Sequence, residues 1–134
     1  MGVIHVVAAC LFDNEGHLVL VRKRGTQAFM MPGGKPETGE TARQALQREL
    51  EEELDWQGDV DTLAAMGTFE AAAANEAGMR VRAEVFWGVL EHDVQPQAEL
   101  EEVIKVTMAQ SQSLPLAPLQ AVLKEHIAAL PLAR

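Results

Sequence analysis

From Val3 to Phe12 almost every side chain is apolar, with β-branched Val and Ile early in the run. A stretch of this kind predicts a strand covered on both faces. Asp13, Asn14, Glu15 and Gly16 supply turn chemistry, and Leu18 to Val21 resume the apolar pattern. A hairpin is therefore expected, with Arg22, Lys23 and Arg24 delivered at its far end. Pro32, Gly33 and Gly34 then break the chain. The Ala-, Leu-, Gln- and Glu-rich segment from about Thr41 to Leu54 predicts a helix, with Thr38 as its cap.

Two further runs, Leu63 to Ala74 and Met79 to Leu90, flank Asn75, Glu76, Ala77 and Gly78. The second alternates as Val81, Ala83, Val85, Trp87 and Val89, the period of a strand, so a second hairpin is predicted. Val103 to Met108 reads as a short strand, and Pro118 opens a helix reaching about Leu130. Strands interleaved with two helices, without repeats or low-complexity segments, imply an α/β sandwich.

Composition narrows the function classes. With 134 residues, 48% of them hydrophobic, the chain can bury one core, and a single domain over 1–134 is expected. No apolar run approaches the roughly 18 residues that cross a bilayer, and the N-terminal stretch lacks the marks of a signal peptide. Cys10, the only cysteine, lies in the first apolar run and reads as a buried structural thiol of a reducing compartment. A cytoplasmic protein without a membrane partner is expected. Eleven basic residues against 20 acidic ones give a formal charge of −9, which repels a nucleic-acid polymer. A small phosphorylated ligand stays compatible if a metal and a few local cations offset that field.

The helix from Thr41 to Leu54 distributes its acids unusually. With Glu49 at zero on a helical wheel, Ala42, Ala45 and Leu46 fall within about 60°, Glu53 at about 40° and Glu52 at about 60° the other way. The acids thus share the packing side, while Arg43, Gln44, Gln47, Arg48 and Glu51 occupy the opposite polar arc. Shielded like charges one turn apart repel and cost several kcal/mol each, on the order of an unpaired buried ion, unless something positive offsets them. A hard divalent cation such as Mg²⁺ does so economically, since it prefers oxygen ligands and bridges carboxylates to phosphate. The alternative is a solvated acidic helix face.

The segment Gly34, Lys35, Pro36, Glu37, Thr38, Gly39, Glu40, then seven residues to Arg48, Glu49, Leu50, Glu51, Glu52, Glu53, resembles the Nudix box, GX5EX7REUXEEXGU, where U is bulky and aliphatic. Spacing agrees at every charged position. Asp55 stands where the family has glycine, and Trp56 where it has an aliphatic residue. Met31 to Lys35 resemble the family's loop into the helix.

The resemblance implies a Nudix-type α/β/α sandwich with a mixed β-sheet, and Mg²⁺-dependent hydrolysis of a phosphoanhydride in a nucleoside diphosphate linked to another moiety. Mn²⁺ would serve in place of Mg²⁺. It further implies Glu49, Glu52 and Glu53 as metal ligands, one of them or a nearby acid orienting the attacking water, with the Gly34 carbonyl completing the metal site. Lys35 and one of Arg22, Lys23 or Arg24 would contact phosphate, and Glu40 and Arg48 would be structural. Relatives carry a glutamate six residues before a tryptophan near the last strand; Glu99 stands six before Lys105, and Glu102 is its rival. The partner would be a small nucleotide-like substrate, its distal group held by side chains of the first strands and the loops around Phe29, Phe69 to Asn75 and Phe86, where the ordinary reading of the aromatics is core. A homodimer and a monomer are both compatible. The rival function is a Nudix-fold nucleotide-binding or regulatory module without catalysis, which would have lost some of the helix acids.

Overall fold

The computed structural model describes residues 2–73 and 76–133. Six strands form one mixed sheet: β1 (Val3–Phe12), β2 (Leu18–Lys23), β3 (Gly33–Gly34), β4 (Ala64–Ala72), β5 (Arg80–Val89) and β6 (Leu100–Val106). Helices α1 (Ala42–Leu54), α2 (Met108–Ser111) and α3 (Pro118–Ala128) and a 3₁₀ turn at Val60–Thr62 complete the chain. Strand order is β4-β5-β1-β2-β6, with β3 paired to β1.

β1 sits at the centre and divides the core by alternation. Val7, Ala9 and Leu11 face α1 through Leu46, Leu50 and Leu54. Ala8, Cys10 and Phe12 face the other way, toward Leu123 and Ile127 of α3. This is the predicted α/β/α sandwich, with Val7 to Phe12 covered on both faces as the apolar run implied. Burial pushes the Cys10 thiol up to about 12, and its Sγ lies 3.2 Å from the Met31 sulfur. Among the described residues no helix is long and apolar enough to cross a membrane.

Four local expectations need correction. Asp13 builds the first turn as expected, accepting from the backbone N–H of Glu15 and His17, but β1 and β2 pair only at Phe12↔Leu18. The long partner of β1 is β5, in parallel. Beyond the turn β1 and β2 part, and β3 enters beside Val7 and Ala8. Second, Thr41 rather than Thr38 caps α1: its hydroxyl accepts from Gln44 N–H and the Gln44 amide returns a bond to Thr41 N–H, a capping box. Third, the last strand ends at Val106, two residues early, because Thr107 caps α2 through the same box with Gln110. Fourth, α3 stops at Ala128 rather than Leu130. The second hairpin forms as predicted, and Ala74 and Asn75 at its turn lie outside the described residues.

Arg43 and Gln47 do more than face solvent. Arg43 Nη1 donates to the carbonyls of Val60 and Leu63 at 2.9 Å, its guanidinium lies 4.8 Å from the Phe86 ring centroid, and Gln47 bonds Val60 N–H and the Gly58 carbonyl. The polar arc of α1 thereby ties down the 3₁₀ turn.

The helix ends on Asp55, whose φ of 53° and ψ of 38° are left-handed. Its N–H donates to the Glu51 carbonyl at 3.1 Å, as in the αL stop that glycine usually supplies. Asp55→Gly relieves the Cβ strain and removes an acid from a helix C-terminus, less the entropy glycine adds to the unfolded chain. The expected gain is up to about 1 kcal/mol in a urea melt, with turnover unchanged. A loss of tenfold or more in metal affinity would instead place Asp55 in the site.

Candidate active site

Leu46, Leu50 and Leu54 press α1 onto the sheet, and this carries Glu49 and Glu53, one turn apart, toward the same side. Glu53 is only 4% exposed. Its Oε1 accepts the Gly33 N–H at 3.1 Å. The glycine pair is what lets β3 come this close. A Cβ on Gly33, whose φ is 151°, would strike the Val7 carbonyl, and one on Gly34 would overlap the Glu49 carboxylate.

Burial raises the Glu53 carboxyl to about 7; the Gly33 N–H partly opposes this and the charge of Glu49 adds to it. Burial also raises Glu49, against the hydrogen bond from Arg48. Glu52 differs from both: its side chain is 56% exposed, so the shared packing side of the wheel holds for Glu49 and Glu53 but not for Glu52.

Arg48 joins the preceding loop to the helix. Its Nε and Nη2 grip the two oxygens of Glu40 at 2.8 and 2.9 Å, Nη1 reaches Glu49 at 2.9 Å, and Nη2 also donates to the Lys35 carbonyl. A two-pronged bond of this kind fixes geometry as well as charge. The Arg48 fork and the Glu37 N–H hold the Glu40 carboxyl at about 2. Its contribution to stability is therefore present above the usual carboxylate range and is lost as pH falls through about 2.

The acids open onto a cleft of about 400 Å³. Lys23, Gly33, Gly34, Lys35, Glu49, Glu53 and Glu99 line it, together with Glu76 and aliphatic groups of β1, β5 and the start of α3. The loop before β6 delivers Glu99 by closing the end of α1: Gln97 N–H donates to the Glu53 carbonyl at 2.8 Å and Gln95 N–H to that of Leu54 at 3.2 Å. Glu99 lies 3.4 Å from Lys23, and Lys35 lies 3.6 Å from Glu76. Both pairs are exposed enough to be worth little in stability, so an anion can compete for the lysines.

Other expected residues fall elsewhere. Arg22 bonds Glu102 at 2.8 Å and the Thr26 carbonyl, and Arg24 bonds the Ala98 carbonyl, none of them lining the cleft. Of the rivals Glu99 and Glu102, only Glu99 reaches it. Lys105 pairs with Asp93 at the surface. Phe29 and Phe86 are core residues and Phe69 packs near His126, so the aromatics do not line the cleft. Gln120 and Glu76 do, and the sequence had singled out neither for a site. For Gln120 the available signal was its spacing from Leu123 and Ile127, which places a polar residue on an apolar helix stripe.

Among the described residues, no three His, Cys, Asp or Glu side chains stand in a ready-made metal cluster. The donor set nevertheless fits a hard divalent cation. Glu49 and Glu53 are oxygen donors whose charge is disfavoured by burial, and such an ion commonly takes one or two carboxylates, completing its shell with water and phosphate.

The family model for the NUDIX domain matches residues 3–130. A 56-residue stretch is 41% identical to the 8-oxo-dGTP diphosphatase of Haemophilus influenzae, covering 39% of this chain and 41% of that relative. The chain thus spans about two fifths of the length of the curated relative it matches. Among solved structures, the E. coli ORF135 protein has a TM-score of 0.74 at 26% identity, over 97% of this chain and 91% of that one. The MutT protein from Methanosarcina mazei Go1 has a TM-score of 0.77 at 21% identity, over 94% and 93% of the two chains, a likeness of fold.

Because the folded Glu53 carboxyl titrates near 7 and the unfolded one near 4.5, metal-free protein binds the extra proton only when folded, and stability falls as pH rises between those values. Glu53→Gln keeps an acceptor for Gly33 and removes the titration. Urea melts without metal should show the variant more stable than the parent at pH 8, by at most about 3 kcal/mol, and nearly equal at pH 4. A variant no more stable at pH 8 would contradict the shielding of this carboxylate.

Proposed function

The chain belongs to the Nudix hydrolase family, and we propose that it hydrolyses a phosphoanhydride bond of a nucleoside diphosphate carrying a further group, using Mg²⁺ with Mn²⁺ as a substitute. The observation that carries this reading is the pair of buried carboxylates, Glu49 and Glu53, set against the β3 backbone in a cleft that also holds Lys23 and Lys35. The 56-residue likeness to an 8-oxo-dGTP diphosphatase supports a nucleotide as substrate.

Glu49 and Glu53 would hold the ion with the Gly34 carbonyl, and Glu52 and Glu99 would supply further oxygen donors. When bound, the ion neutralises phosphate charge and acidifies a coordinated water. Phosphoanhydride cleavage asks mainly for charge neutralisation and an in-line water, so the remaining work of the chain is positional. Lys23 and Lys35 exchange their exposed acid partners for phosphate oxygens. A carboxylate oxygen of Glu49 or Glu53 left free by the ion accepts the proton of the attacking water. Arg48 serves structurally, keeping Glu49 aimed and the Lys35 loop docked through Glu40. Arg22 and Arg24, tied to Glu102 and the Ala98 carbonyl, remain outside phosphate contact in this reading. Nucleic-acid polymers, long phosphodiester polyanions, are disfavoured as substrates by the charge of −9.

Activity on a panel of nucleoside diphosphate derivatives is expected to require Mg²⁺ or Mn²⁺, and Glu53→Gln should lower kcat by about 100-fold or more with the fold retained. Turnover that persists in excess EDTA would overturn the reading. Mg²⁺ should also raise the melting temperature of the ligand-free protein, most at low ionic strength, since it binds only the folded state. An unchanged melting temperature up to tens of millimolar Mg²⁺ would count against a carboxylate metal site.

A further inference from the structure

The segment that brings Glu99 to the cleft is irregular at two neighbouring points. On β6 an extra residue intervenes: Arg22 faces Glu102 but Lys23 faces Leu100, so Glu101 has no partner on β2. A bulge of this kind re-aims the chain and is over-represented beside active sites. Leu100 N–H then donates to the Gln97 carbonyl at 3.0 Å, closing a four-residue turn with Ala98 and Glu99 at its centre. Ala98, the first central residue, has a φ of 53°. A positive φ at that position belongs to turns dominated by glycine, asparagine and aspartate, because a Cβ crowds the backbone there. Among the described residues only Ala98 and Asp55 have a positive φ without being glycine, and Asp55 has the helix stop to account for it. Strain of this kind persists only where the surrounding contacts over-determine the backbone.

Two groups supply those contacts. Gln97 N–H donates to the Glu53 carbonyl at 2.8 Å, which ties the turn to the main chain of a cleft acid. Arg24 supplies the rest. Its N–H donates to the Glu99 carbonyl at 2.9 Å, its Nη2 donates to the Ala98 carbonyl at 2.8 Å, and its Nε lies 3.5 Å from the carboxylate of the bulged Glu101. One residue thus fastens the strained position and the bulge on either side of Glu99, whose own carboxylate lines the cleft beside Lys23. We propose that Arg24 is a positioning residue: it holds Ala98 in the left-handed turn and thereby sets the direction of the Glu99 carboxylate. This rests on the reading of Glu99 as an oxygen donor to the ion. A guanidinium outside the cleft then acts on ion affinity through the main chain. Without its bond to the Ala98 carbonyl, the turn relaxes toward the negative φ that alanine prefers, and the side chain that follows is turned away from Lys23.

The test uses Arg24→Met, which keeps the stem, Arg24→Lys, which keeps one donor, and Ala98→Gly combined with Arg24→Met. Calorimetry with Mg²⁺ as the only ligand reads ion affinity, and hydrogen exchange of the Gln97 amide in metal-free protein reads the turn. Arg24→Met should weaken Mg²⁺ binding about fivefold and speed the Gln97 exchange by a similar factor, with Arg24→Lys between it and the parent. Glycine takes a positive φ without help, so adding Ala98→Gly to Arg24→Met should restore most of both losses. At saturating Mg²⁺ the KM of Arg24→Met for its nucleotide should return to the parental value. A KM that stays raised there would make Arg24 a phosphate contact and overturn the proposal. So would a double variant no better than Arg24→Met, or a Gln97 amide that exchanges in Arg24→Met at the parental rate. An active parent whose Mg²⁺ affinity is indifferent to Arg24→Met would overturn this inference alone. A parent that binds no Mg²⁺ would overturn it together with the hydrolase reading. A parent and variants that bind Mg²⁺ as expected but turn over no nucleotide would overturn the hydrolase reading alone.

Discussion

Glu49 and Glu53 are held on the side of α1 that packs against the sheet, and the surrounding structure accommodates their charge. Three leucines of the same helix, each contributing roughly 1.5–3 kcal/mol when fully buried, press the helix down against a desolvation penalty of several kcal/mol per carboxylate. Burial disfavours the ionised form of both, and each has that penalty partly offset by a different device. Glu53 takes a backbone N–H from a strand only two residues long, while Glu49 takes a guanidinium. Both devices depend on the glycine pair, because any side chain at Gly33 or Gly34 would drive β3 off β1 or off the Glu49 carboxylate. The widening gap between β1 and β2 gives β3 its place, so the sheet's irregularity and the acids' burial belong to one arrangement.

Arg48 connects this arrangement to the loop before the helix. It spans Glu40, the Lys35 carbonyl and Glu49, and so couples the path of residues 35–41 to the orientation of an acid in the cleft. The capping box of Thr41 and Gln44 fixes the same junction from the backbone side. Two independent constraints on one turn leave Lys35 little latitude in its main chain, although its ammonium remains exposed.

Much of this was legible in the sequence because it is local. Apolar alternation, the Ala- and Leu-rich helix and the spacing of Gly34, Glu40, Arg48 and the acids each lie within a few turns or strand lengths. The wheel separates Glu49 and Glu53 from the polar arc, and both are shielded as expected; it also puts Glu52 on the packing side, where that side chain is exposed, since a wheel reports angle and not the distance to the sheet. Arg22 and Arg24 were indistinguishable from Lys23 as cations at a strand end; pairing with Glu102 and with the Ala98 carbonyl, 80 and 74 residues away, decides among them. Non-locality also hid the β1–β5 pairing, because a tight turn suggests that the strands it joins run side by side throughout.

The parallel ladder of β1 with β5 also bears on how the chain reaches this structure. Val3 pairs with Arg80 and Phe12 with Val89, so the most buried strand finds its longest partner across more than half the chain. Closing so large a loop must precede any reward from the contacts, and such topologies fold slowly relative to local hairpins. During synthesis at about 5–20 residues per second, the apolar run Val6–Phe12 waits several seconds for β5 to emerge. In that interval β2 can cover it at only one residue pair, and α1 can offer it a leucine face. The helix that carries the acids is thus the earliest large apolar surface available to β1, and a substitution that weakens its packing should act on the yield of folded protein before it acts on the site.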